Sequence, residues 1–104
     1  MVDTSAVTSK LTLELELLER HILMLRITKE NQPIGIIRLS ELLGIPKHKV
    51  RYSLRILEGD GLIEATGSGA TVTDGYDDFM GHASDYLDEL IDRIRAVKER
   101  IPIT

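Results

Sequence analysis

The stretch from Gly44 to Leu62 constrains this chain most. It opens with Gly44-Ile45-Pro46, closes with Gly59-Asp60-Gly61, and carries a helical period between the two breaks. At roughly 100° per residue, Val50, Leu54 and Leu57 fall within about 60° of one another and form an apolar stripe. His48, Tyr52 and Arg55 lie nearly opposite, with Arg51 on one side and Lys49 on the other. Lys47, Lys49, Arg51 and Arg55 are the charged residues between Pro46 and Leu57, and no acidic residue interrupts them. The whole chain has 13 basic residues against 17 acidic, so removing these four leaves nine against 17. A solvated helix face ordinarily mixes both signs. An acidic chain that keeps one cationic helix face aims it at a polyanion.

The flanking residues complete a larger unit. Leu39-Ser40-Glu41-Leu42-Leu43-Gly44-Ile45-Pro46, then Val50-Arg51-Tyr52-Ser53-Leu54, then Leu57-Glu58 and Gly61-Leu62-Ile63 resemble the winged helix-turn-helix of transcriptional regulators. The match covers about Pro33 to Thr73. The similarity extends to MarR-like and PadR-like regulators, which dimerise through terminal helices. It implies that Pro46 to Glu58 is a recognition helix lying in the major groove of double-stranded DNA. On that reading Arg51 forks onto guanine O6 and N7. Lys47, Lys49 and Arg55 clamp phosphates, His48 meets a base or a phosphate, and Tyr52 and Ser53 meet phosphate or a thymine edge. The plainer role for Tyr52 is packing against the wing. Ile56 lies off the Val50 stripe and is expected to pack on the wing or on another helix. Winged helices also serve as protein-interaction modules, so docking without DNA contact is the rival expectation.

The fold expected is mainly α: a winged helix-turn-helix with a short two-stranded β-wing and long N- and C-terminal dimerisation helices. Residues 1–9 are expected to be a flexible terminus, 10–73 the DNA-binding domain with its first helix, and 74–104 the dimerisation helix. Ser9 is a candidate N-cap for a helix from Lys10 to about Glu30. The alternation Leu11, Leu13, Leu15, Leu17 looks strand-like, but the apolar pattern continues for about twenty residues, which favours a helix. One stripe is Leu11, Leu15, Leu18, Ile22 and Leu25; a second is Leu13, Leu17, Met24 and Ile27. Two apolar faces need two burying surfaces. The first is expected in the domain core, and Leu13, Leu17 and Met24 of the second against a partner subunit.

After the break at Asn31-Gln32-Pro33, Gly35 starts a helix from Ile36 to Leu43, with Leu39, Leu42 and Leu43 inward. Leu62–Thr66 and Ala70–Thr73 read as strands joined by a tight hairpin at Gly67-Ser68-Gly69. That hairpin carries no Lys or Arg. Thr73 or Asp74 caps the last helix, which runs to about Arg100. Ala83, Leu87, Leu90, Ile94, Val97 and Ile101 alternate steps of four and three, the seam of a coiled coil. Leu87, Leu90, Ile94 and Val97 are the expected dimer contacts. This helix begins acidic and ends basic, which suits its dipole and an antiparallel pairing of two copies.

The absence of cysteine excludes disulfides, thiol nucleophiles and Cys-ligated zinc, and agrees with a cytoplasmic setting. No apolar run approaches the roughly 20 residues of a membrane span, and no secretory signal pattern opens the chain. His82 follows Asp74 and Asp78 at steps of four, a spacing too loose to predict a metal. His21 reads as a part-buried or surface histidine. With no phosphate loop and no nucleophilic triad, neither enzyme activity nor a cofactor is expected, and nothing marks a small-molecule effector pocket.

Overall fold

The computed structural model describes residues 5–103. The chain is mainly helical, with four helices and one small antiparallel sheet: α1 (Ser9–Asn31), α2 (Ile36–Leu43), α3 (Lys47–Gly59), β1 (Ile63–Thr66), β2 (Gly69–Val72) and α4 (Tyr76–Glu99). It divides into two compact units between Asp74 and Gly75. Among the described residues no helix is long and apolar enough to cross a membrane.

The first unit packs α1, α2, α3 and the hairpin around Met24, Leu25, Ile34, Leu39, Val50, Leu57, Leu62, Ile63 and Ala70. The α2–α3 connection is short because Gly44 adopts φ 67°, which lets its N–H return to the Ser40 carbonyl and end α2. Pro46 stands just before α3, already extended at ψ 151°, and its carbonyl accepts from the Lys49 and Val50 N–H groups. Gly61, at φ 73°, reverses the chain after α3 so that the Leu62 N–H reaches the Leu57 carbonyl. In α2 only Leu39 is buried; Leu42 is 39% exposed, short of the burial expected, and Leu43 is half-buried. Eight residues make barely two turns, so one face of α2 is all the core can cover.

β1 and β2 pair with Ile63 opposite Val72 and Thr66 opposite Gly69. The linker after α1 does more than break the helix: it pairs with the hairpin. The Ile34 N–H donates to the Ala70 carbonyl at 3.1 Å, and the Ala70 N–H donates back at 2.8 Å. The Val72 N–H donates to Gln32 Oε1 at 2.8 Å. Gly69 lies where these edges converge. Its φ is 132°, and a Cβ there would stand 2.7–2.8 Å from the Ile34 backbone. Glycine is required twice over, by conformation and by space.

The expectation for α1 needs correcting. Neither of its apolar stripes is buried as a whole, and the division runs along the axis instead. Met24, Leu25 and Thr28 of the C-terminal half are buried, drawn from both faces. Leu11, Leu13 and Leu15 of the N-terminal half are exposed, also from both faces. Met24, expected at a subunit interface, is wholly inside its own chain. The reason is length. The 23 residues of α1 span about 35 Å, whereas the 13 of α3 span about 20 Å and the eight of α2 about 12 Å. The partners are too short to cover it. The helix also starts one residue early, at Ser9, so Ser9 is its first residue and not its cap. The terminus expected to be flexible, residues 1–9, lies partly outside the described residues.

The second unit is α4. Gly75 precedes it in place of Thr73 or Asp74, and two aspartates, Asp77 and Asp78, occupy its first turn. None of its residues is buried. Leu87 and Leu90 are half-covered, while Ile94 and Val97 are 64% and 62% exposed.

Candidate nucleic-acid interface

The candidate surface is the outer face of α3. Its back is anchored by Val50, Ser53 and Leu57, all buried. Lys47, His48, Lys49, Arg51, Tyr52 and Arg55 are exposed, so six of the seven residues singled out from sequence share one accessible surface. Among the described residues none of Lys47, Lys49, Arg51 and Arg55 forms an ion pair; pairs such as Arg38–Glu41 and Arg95–Asp92, each at 3.9 Å, lie on other helices. Among the described residues α3 thus keeps these four cations unpaired. An open cleft of about 550 Å³ runs along it, lined by His48, Lys49, Arg51, Tyr52 and Arg55 on one side and by Leu17 and Arg20 of α1 on the other.

Ser53 does not belong to this surface. It is wholly buried between α1 and α3, and its Oγ accepts a 3.0 Å hydrogen bond from Arg20 Nε. A direct contact of Ser53 with DNA is thus excluded. The helical angle contains the signal: Ser53 lies about 40° from Leu57, on the edge of the stripe. Its small side chain lets the two helices approach there. Tyr52 is 44% exposed. It leans toward α1, with its ring centroid 5.9 Å from the Arg20 guanidinium carbon and 6.5 Å from the His21 ring. Ile56 is 39% exposed and only partly covered, against the expectation that it packs away.

Arg20 is the residue that sequence reasoning missed. It sits in a helix read for its leucines, and nothing in its spacing indicates that position 20 faces position 53. Next to it, His21 is part-buried, and its Nδ1 has no hydrogen-bond partner among the described residues. Burial, then repulsion by Arg20, holds its pKa below the usual histidine value, with Asp60 opposing.

The expected dimer contacts are divided by the structure. Leu13, Ile94 and Val97 are exposed, Leu17 lines the α1–α3 cleft, and Met24 is internal. Asp74 precedes α4 and so cannot share a helix face with Asp78 and His82. No three His, Asp or Glu side chains among the described residues gather closely enough to hold a metal ion. Set against known protein families and against curated proteins, the chain matches none.

Proposed function

We propose that the first unit is a winged helix-turn-helix and that the chain binds double-stranded DNA sequence-specifically, as a cytoplasmic homodimer that regulates transcription. One observation carries the reading: α3 buries its apolar edge and presents Tyr52, His48 and four cations that form no ion pair among the described residues. In this reading α2 and α3 are the helix-turn-helix and the β1–β2 hairpin is the wing. Arg51, on one flank of the exposed face, reads a base edge, while Lys47, Lys49 and Arg55 neutralise phosphates. The wing has no basic side chain to add, so sequence discrimination falls on α3.

The exposed leucines of α1 and the exposed seam of α4 supply the contacts between copies. Two copies set their recognition helices about 34–36 Å apart and read an inverted repeat. The test is a titration against a pool of random duplexes at two salt concentrations, with the retained sequences identified. Binding is expected to fall steeply with salt, by about 0.9 in log K per log salt for each neutralised phosphate. Arg51→Ala is expected to cost about 1–3 kcal/mol and to relax preference at one base position. A parent indifferent to salt and to duplex, or an Arg51→Ala variant of parental affinity, sinks the proposal. The exposure of Ile56 favours the rival, a protein-docking module; that reading predicts the flat salt response.

A further inference from the structure

We infer that Arg20 of α1, outside the helix-turn-helix, is a phosphate contact held in place by Ser53 and Tyr52, so that the DNA footprint extends from α3 onto α1. The inference rests on the DNA-binding reading of α3 and adds a residue to it. Three observations carry it. Arg20 is part-buried, and no carboxylate pairs with it among the described residues. A cation withdrawn from water without a counter-ion is costly, and an incoming anion relieves that cost. Its Nε is committed to Ser53 Oγ at 3.0 Å, and its guanidinium carbon stands 5.9 Å from the Tyr52 centroid. Of five guanidinium donors this uses one, leaving four N–H groups on a side chain already fixed in direction. Finally, Arg20 lines the same cleft as Lys49, Arg51 and Arg55. A backbone running beside α3 therefore passes between cations on both helices.

Fixing the guanidinium before DNA arrives reduces the side-chain entropy lost on binding. It also makes α1 part of the interface, in the helix whose N-terminal leucines are bare. A purely structural Arg20, there only to pin α1 to α3, has a different signature: its loss lowers thermal stability and leaves the salt response of DNA binding unchanged.

The experiment measures binding of the full chain to one 20-base-pair duplex across a salt series, for the parent, Arg20→Gln and Arg20→Lys, with melting curves for each. Arg20→Gln is expected to reduce the log K–log salt slope by roughly 0.9, so that between 50 and 200 mM salt it loses roughly three- to fourfold less affinity than the parent does. Arg20→Lys, which keeps the charge but not the fork, is expected to retain the parental slope with weaker binding. Parental slopes in both variants overturn the inference while leaving the α3 reading intact. A parent that ignores duplex DNA at low salt overturns both. Should Arg20→Gln not fold, Arg20→Lys binding with unchanged affinity overturns it, since an ammonium cannot hold Ser53 and a phosphate as the guanidinium does.

Discussion

Helices α1 and α3 both carry apolar residues at helical spacing, yet they separate inside from outside in different ways. α3 divides around its axis: Val50, Ser53 and Leu57 are covered, while Lys49, Arg51, Tyr52 and Arg55 on the other side are open. α1 divides along its axis, with Leu25 fully buried at one end of a stripe and Leu11, on the same stripe, 71% exposed at the other. Periodicity reports which face of a helix is apolar. How far along the helix that face is covered depends on the length of what packs against it.

The sharpest way to break this contrast is to truncate the same stripe at its two ends. Leu25→Ala is expected to cost about 2–5 kcal/mol in urea unfolding, because it opens a cavity at a fully buried position. Leu11→Ala is expected to cost under about 0.5 kcal/mol in dilute protein. Similar losses at both positions mean that α1 is not divided lengthwise.

The next test concerns what anchors the covered half. Gly69→Ala forces a Cβ into the Ile34 backbone at a φ unsuited to alanine, and is expected to cost about 1–3 kcal/mol. Gly67→Ala, with nothing within 4 Å of the added carbon, serves as the control. If the two variants unfold alike, the Ile34–Ala70 bridge is not what holds the hairpin to the α1 linker.

The smallest effect lies at the boundary between the two halves, at His21. Burial and Arg20 disfavour its cation in the folded chain. Above the ordinary histidine value of about 6.5 both folded and unfolded states are neutral there, and the group costs nothing. Below it the unfolded chain takes up the proton first, so stability falls as pH drops toward the lower folded value and then levels off. An NMR titration is expected to place His21 below 6.5 and to move it upward in Arg20→Gln. A His21 that titrates at its ordinary value, unmoved by Arg20→Gln, shows that α1 and α3 do not meet closely at this level.

Much of the local structure was readable without coordinates. Ile36 and Leu43 as the ends of α2, the turn at Gly44, the start of α3 beside Pro46 and a hairpin turning at Gly67-Ser68 follow from glycine, proline and helical spacing, which act within a few residues, although Gly69, expected in the turn, opens β2. The cationic face of α3 was readable for the same reason, since its residues lie on one element. Ser53 was misplaced because only the approach of α1 decides whether a small polar residue at the edge of a stripe is open or shut. Met24 was misplaced because two apolar faces on one helix do not say which neighbour takes which part.

The sequence alone determined the kind and order of this protein's elements, the ends of α2 and which side of α3 is charged, because propensity, turn conformation and periodicity are properties of neighbouring residues. The tertiary structure decided that Ile34 joins the hairpin, that α1 is covered over only part of its length, and that Arg20 stands over Tyr52 with its Nε on Ser53. These depend on the relative lengths and approach of elements far apart in the chain, and no local pattern encodes a distance between residues 20 and 53.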